Sequence, residues 1–315
     1  MLAAAAYSFV TFGDWGTGSS LQSENALALN SFCAIPANCR MILGLADNFY
    51  NGPLTTLDPR WHTEFSSMYN FTAPFHTCMG NHDYCGSISA QTSFSNDTRW
   101  NGHVNGSMVF PEADLTVVFV DTPRACPSYM SKPYGDCNEN CMLQLANLTD
   151  GMPCTNTSSL PCWLSHVEWL NSTLEKVTTK WKFVAGHHPI TDEHMPYMMP
   201  SLEAFGVQAY FAGHVHNLQH LQEKGSSVNY FISGAGAFGS AFEKDAAMLL
   251  KTQGVKLGTS HQPRALPHPS GRPWSGANWV GDGPGFLAIS LDGNVATGRF
   301  FNHEGKEIYN TTFNA

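Results

Sequence analysis

Five times in this chain of 315 residues, a short apolar run stops abruptly at a side chain able to bind a metal ion. Residues 7–12 lead to Asp14, 41–46 to Asp47 and Tyr50, 74–79 to Asn81 and His82, 181–185 to His187, and 208–212 to His214 and His216. A short apolar run bounded by turn residues reads as a buried strand. Ligands of open α/β sheets gather outside the carboxyl ends of such strands. Singly, each ending has a plain structural explanation. A strand-end Asp caps a turn, and a His on an apolar strand is usually a hydrogen-bonded core residue. Yet every ending sets a Gly close to the polar group, and the plain explanation would have to hold five times over. A metal centre at one sheet edge accounts for all five together.

Composition narrows the partners. A hydrophobic fraction of 43% against 13% charged residues belongs to a globular chain with ample core. The net charge is −9 and no dense Lys/Arg run occurs, which disfavours nucleic acid and anionic membrane surfaces. No apolar run approaches the roughly 18 residues of a membrane span. Residues 1–6 are too short for a signal peptide and run straight into a strand, so they read as a processed start. Seven sequons, at Asn70, Asn96, Asn105, Asn147, Asn156, Asn171 and Asn310, predict N-linked glycans and a secreted or lumenal protein. The nine Cys agree, because disulfides persist in oxidising compartments. Five of them (Cys126, Cys137, Cys141, Cys154, Cys162) crowd one polar segment, while Cys33 with Cys39 and Cys78 with Cys85 could each close a small loop. A thiolate metal site is the rival reading of the cluster, but no Cys-x-x-Cys pair supports it.

In chain order, strand 7–12 precedes a helix carrying Leu21, Leu27 and Leu29, and then the strand ending at Asp47. Asp58-Pro59 opens a helix through Trp61, Phe65 and Met68, with Pro in its first turn. Beyond strand 74–79, a sequon-rich stretch reads as surface and 115–120 as a buried strand ending at Asp121. Residues 163–177 have helical spacing, and Ser165 with Glu168 are spaced as a capping box. Strands 181–185, 208–212 and 228–233 follow, and short strands fill 285–313 around an Asp292-Gly293 hairpin turn. Strands alternate with helices first, and strands alone close the chain. One α/β (α+β) domain spanning 1–315 and built on two sheets is expected, with a disulfide-rich excursion at 124–162 and a long loop at 251–284.

The donor types indicate the metals. Carboxylate and phenolate oxygens suit a trivalent ion, whereas imidazole suits zinc or another divalent first-row metal. Two neighbouring ions need a shared ligand, and a carboxylate is the natural bridge of a two-metal clamp on phosphate esters. The motifs Gly13-Asp14-x-Gly16, Asp47-x-x-Tyr50, Gly80-Asn81-His82-Asp83, Val184-x-x-His187 and Gly213-His214-x-His216 resemble the five motifs of purple acid phosphatases, above all the small tartrate-resistant enzymes of the mammalian type. The likeness continues through Asp47-Asn48-Phe49-Tyr50, His216-Asn217-Leu218-Gln219 and Ser233-Gly234-Ala235-Gly236, and covers most of the chain outside 124–162 and 251–284.

The resemblance implies the metallophosphoesterase fold, a four-layer αββα sandwich of two mixed sheets. It implies Fe(III) held by Asp14, Tyr50 and His216, a second divalent metal (Fe, Zn or Mn) held by Asn81, His187 and His214, and Asp47 bridging the two. The implied reaction is hydrolysis of phosphate monoesters in acid, with metal-bound hydroxide attacking phosphorus in line. Asn81, His82, His188 and His194 would face the substrate. His82 is the first candidate to hydrogen-bond phosphate, with Asp83 orienting it. His194, in Asp192-Glu193-His194, matches the distal general acid of the family and lies somewhat closer to the preceding ligand than in the mammalian enzymes. The other His residues (His62, His76, His103, His166, His220, His261, His268, His303) match no motif.

Two departures stand out. Ala46 occupies the place of a Gly before the bridging Asp, so the backbone there must accept a Cβ. His188 replaces an aromatic Tyr, adding an imidazole that either packs or tunes the site. Two other functions compete. A phosphodiesterase or nucleotidase on the same fold is disfavoured by Tyr50, the mark of the purple branch. A non-catalytic scaffold on a retired phosphatase fold is disfavoured by the retention of all seven ligands.

Overall fold

A computed structural model describes residues 6–50, 52–126, 160–239, 266, 268–272 and 274–315. Strands β1 (Tyr7–Phe12), β2 (Ile42–Gly44), β3 (Phe75–Thr77) and β4 (Trp100–Gly102) run parallel. Helix α1 (Ser20–Cys33) links the first two, a π-helical turn (Trp61–Ser66) precedes β3, and α2 (Ile88–Ser93) precedes β4. The C-terminal strands β12 (Gly285–Asp292), β13 (Val295–Asn302) and β14 (Glu307–Asn314) extend this sheet antiparallel from β1, giving the order β14-β13-β12-β1-β2-β3-β4. The second sheet has a parallel centre of β6 (Leu115–Phe119), β7 (Trp181–Ala185), β8 (Ala209–Ala212) and β10 (Asn229–Ser233). Antiparallel strands β5 (Gly106–Phe110), β9 (Leu218–Gln222) and β11 (Asn278–Gly281) flank it, in the order β11-β9-β10-β8-β7-β6-β5.

Side chains alternate across each strand, so a strand buried on both faces needs apolar residues in both registers. In β1, Phe9 enters the central core with Phe183, Phe211, Phe231 and Leu287, where the two sheets face each other. Its neighbours Val10 and Phe12 point the other way, into an aromatic layer with Trp15, Phe65 and Trp100 beneath α1 and the π-helical turn. Beyond the second sheet, α3 (Leu160–Leu174) and α4 (Met199–Ala204) bring Trp163, Leu170 and Leu202 against Val118, Val184 and Tyr210. The result is the expected αββα sandwich of two mixed sheets.

Several local expectations need correction. The stretch between β3 and β6, expected to be surface, holds α2, β4 and β5. β4 carries a single apolar residue, Trp100, which is buried and stacks on Phe75 at 5.3 Å, so no alternation advertised it. The loop expected at 251–284 contains β11, whose Trp279 stacks on Tyr309 at 4.4 Å. Helix α3 starts at Leu160, which places Ser165 and Glu168 inside it and removes the capping box. Leu27 faces solvent on α1 while Leu21 and Leu29 are buried.

The Cys33–Cys39 disulfide forms, but Cys78 and Cys85 do not close a loop. The Cys78 thiol donates to the Gly44 carbonyl and the Cys85 thiol to that of Asn81, each at 3.6 Å, so the two point at different backbone acceptors. Cys162 is disulfide-bonded. Residues 127–159, the bulk of the Cys-rich segment with sequons Asn147 and Asn156, lie outside the described residues. Among the other sequons, Asn70, Asn96 and Asn310 are exposed, and Asn105 and Asn171 half-buried.

Candidate metal centre

The carboxyl ends of β1, β2 and β3 in one sheet meet those of β7 and β8 in the other. Hydrogen bonds stitch the edge together: Gly13 N–H donates to Ser233 O at 2.7 Å, Gly236 N–H to Gly13 O at 2.9 Å, and the His214 backbone N–H to the Asp14 carboxylate Oδ2 at 2.8 Å. All seven expected ligands converge there in two groups. In the first, the Tyr50 hydroxyl lies 3.1 Å from His216 Nε2 and 3.4 Å from Asp14 Oδ1, and the last two are 3.5 Å apart. In the second, His187 Nε2 lies 3.1 Å from Asn81 Oδ1 and 3.3 Å from Asp47 Oδ2. Donor atoms of Asp14, Asp47 and His187 fall within 4.8 Å of one another, as do ring nitrogens of His187, His188 and His214.

These separations fit adjacent ligands around first-row ions, whose bonds run to about 2.0–2.2 Å. Glycines keep the space open. A Cβ at Gly80 would stand 2.3 Å from Asp47 Oδ1, and one at Gly213 2.4 Å from Asp14 Oδ2. The backbone is strained at the same place. Asp14 (φ +60°), Ala46 (+69°), Asp47 (+44°) and His214 (+65°) all adopt the left-handed region that side chains other than glycine rarely occupy. Strain of this kind persists where surrounding structure over-determines the geometry.

Electrostatics favour cations. Burial raises the Asp14 carboxyl. Burial acts the same way on Asp47, but His187 and His82 outweigh it and hold that carboxyl low. Burial alone would lower His187; the Asp47 and Asp14 carboxylates overcome it and raise the ring to about 10. Its Nδ1 donates to Leu45 O at 2.9 Å, which turns Nε2 towards Asn81 and Asp47. Tyr50 is pushed well above the ordinary phenol range by burial and then by the Asp14, Asp47 and Asp83 carboxylates. A phenol so placed gives up its proton only to a strong Lewis acid.

The substrate-side candidates divide. His82 is buried; its N–H donates to Asp47 Oδ1 at 3.0 Å and its ring lies 4.3 Å from that of Tyr50. Burial lowers its imidazole to about 4. Asp83 does not orient His82 as expected. Its carboxylate accepts N–H groups from Asn48 at 2.9 Å, Gly80 at 2.8 Å and the Gln91 amide at 3.0 Å, so it ties the loop after β2 to the loop after β3. His188 is fully buried behind the ligands, its ring 4.5 Å from that of His214. His194 is half-buried at the head of a short turn, its ring edge-on to Tyr197 at 6.3 Å.

Three neighbours went unassigned in the sequence. Asp192 brings Oδ2 within 3.8 Å of His214 Nε2, closer to the ligands than its neighbour in sequence His194 suggested. Phe238 stacks flat on His216 at 3.9 Å and meets Tyr50 edge-on at 5.2 Å. Thr122 hydrogen-bonds the backbone of His187 and His188. Only Phe238 had a signal within reach, since it follows the Ser233-Gly234-Ala235-Gly236 motif. Asp121, which also ends an apolar strand, is no ligand: Arg124 at 2.7 Å and the Tyr84 hydroxyl at 3.0 Å hold it in a buried pair.

Residues 7–218 match the calcineurin-like phosphoesterase family. The mouse tartrate-resistant acid phosphatase type 5 is 30% identical over 254 residues, covering 73% of this chain and 72% of that protein. Among solved structures, GAP50, the anchor in the inner membrane complex of Plasmodium, superposes with a TM-score of 0.65 at 18% identity, over 98% of this chain and 89% of that one. The purple acid phosphatase PPD1 from yellow lupin seeds superposes with a TM-score of 0.56 at 11% identity, over 99% of this chain and 54% of that one. At these identities the two structures speak for the fold. The fold, the family match and the mouse relative agree, and the chain belongs to the calcineurin-like phosphoesterases, on their purple acid phosphatase branch.

Proposed function

We propose that this protein is an acid phosphatase that hydrolyses phosphate monoesters at a dinuclear centre. The observation that carries the reading is the position of Asp47, whose carboxylate stands with both donor groups: 3.3 Å from His187 and within 4.8 Å of an Asp14 oxygen. Asp14, Tyr50 and His216 would hold Fe(III), and Asn81, His187 and His214 a divalent Fe, Zn or Mn, with Asp47 shared. When bound, the ions supply Lewis acidity towards phosphoryl oxygens and an activated water at a pH where an ordinary general base is protonated.

The chain's own residues do the rest. Asp47 accepts the His82 N–H and so fixes the turn that carries this ring beside Tyr50. From there His82 would donate to a phosphate oxygen. His194 would give the leaving alkoxide its proton. Burial of the ligands excludes bulk water, which strengthens each charge interaction at the site. Exposed sequons and the Cys33–Cys39 disulfide support passage through the secretory route.

The test is an absorption spectrum with metal analysis on wild type and Tyr50→Phe, beside turnover of a chromogenic phosphate monoester and its diester. Two metals, a visible band absent from the variant, and monoester preference in acid are expected. Diester preference would reassign the enzyme to the phosphodiesterases. A protein that takes up no metal would favour a scaffold.

A further inference from the structure

We infer that Thr122 is a positioning residue of the second metal site, and that it keeps His188 out of the coordination sphere by fixing its tautomer. The inference rests on the dinuclear reading above. Thr122 opens the short turn after β6, and its Oγ1 accepts the backbone N–H of His187 at 3.1 Å and of His188 at 3.0 Å. The same oxygen lies 3.0 Å from His188 Nδ1. A hydroxyl has two acceptor lone pairs and one proton. Both lone pairs serve the backbone, so the hydroxyl proton goes to His188, and Nδ1 is the acceptor. The imidazole proton therefore sits on Nε2.

The arrangement is rigid. Tyr210 donates its hydroxyl to His188 O at 2.7 Å, and the Thr122 methyl packs where a Cβ at Gly186 would stand, 2.5 Å away. Hence the glycine before His187: any side chain would expel the threonine.

The consequence concerns ligand count. His187, His188 and His214 bring ring nitrogens within 4.8 Å, a grouping that would make a three-imidazole site. With Nδ1 engaged by Thr122 and Nε2 carrying the proton, His188 has no lone pair to offer. The second ion keeps two imidazoles, the Asn81 amide and the Asp47 carboxylate. A mixed oxygen and nitrogen set of this kind admits iron and manganese as well as zinc.

The test begins with nitrogen NMR of the metal-free protein labelled at histidine, compared among wild type, Thr122→Ser and Thr122→Val. Wild type and the Ser variant should show His188 with a bare Nδ1 and a protonated Nε2, and the Val variant should lose that preference. Titration with Zn(II) against a chelator should then show second-site affinity about 10- to 100-fold weaker in Thr122→Val, restored in Thr122→Ser, with first-site uptake retained. A protonated Nδ1 in wild type overturns the inference, a result that needs no variant to fold. So does a Val variant whose second-site affinity equals that of wild type. A wild type with the stated tautomer that binds no metal would instead sink the phosphatase reading, and with it the metal role of Thr122.

Discussion

Ala46 sets local preference against the site at the scale of one residue. A left-handed L-residue costs roughly 1–2 kcal/mol, and the φ of +69° at Ala46 lies in that region. Glycine would relieve the strain, but would give up about 0.8 kcal/mol for the buried methyl and about 0.5–1 kcal/mol in chain entropy. The terms nearly cancel, so Ala46→Gly should leave stability within about 1 kcal/mol of wild type. Ala26, buried in α1 with helical neighbours, has no strain to relieve. Ala26→Gly should cost about 1–2 kcal/mol. Urea denaturation of the two variants side by side decides the matter, and equal losses would show that the strain at Ala46 is not there.

Between residues and the whole sits the pair of loops that follow β2 and β3. Asp83 joins them, because Oδ1 takes the Asn48 N–H and Gln91 amide and Oδ2 takes the Gly80 N–H. Asn at this position presents an NH2 to donors on one side or the other, whichever way it turns. Asp83→Asn should therefore cost about 2–4 kcal/mol and separate the ligands Asp47 and Asn81, so that uptake of the second metal falls with stability. Unfolding midpoints and Zn(II) titration test this, and a variant with a wild-type midpoint would remove Asp83 from the role. The same loops show what a sequence makes legible. Apolar runs ending in Gly and a donor announced β1, β2, β3, β7 and β8 and the seven candidate ligands that meet at one edge, because burial on both faces and a strand-end donor each leave a local signature. Asp83, Thr122 and Asp192 left none. Their partners are 35, 65 and 22 positions away in the chain, and a single polar residue after a strand looks the same whether it caps a turn or braces a metal site. Three-residue strands such as β4 are too short to alternate.

For the whole molecule, acid is the condition that matters. Burial holds His76, His103 and His220 down to about 4 and His166 to about 3. In the unfolded chain each would take a proton near 6.5. Between pH 6.5 and 4 these four therefore favour unfolding, and their contribution is lost as pH falls through that window. Glu64, raised to about 7 by burial, and Asp83, raised to about 7 by burial and the Asp47 charge, work the other way. Burial also lowers His82, to about 4, and His188 and His214, while Asp14 is raised by burial and His187 by the Asp47 and Asp14 carboxylates. The lowered imidazoles outnumber the raised groups, so the unfolded state binds the more protons. At about 1.4 kcal/mol per proton per pH unit, the metal-free protein should lose stability steadily from pH 6.5 to 4.5. Its Tm, followed by circular dichroism, should drop throughout, and a flat or rising Tm would refute the account. Bound metal opposes the loss by favouring the folded state, by roughly 4 kcal/mol at a thousandfold excess over Kd. That support also weakens in acid. His187, raised to about 10 in the metal-free site, must release its proton before Nε2 can ligate. Each unit fall in pH then weakens the second ion about tenfold. Acid activity on this fold is therefore bounded from below by metal retention, and the Tm gap between loaded and metal-free protein should close as pH falls.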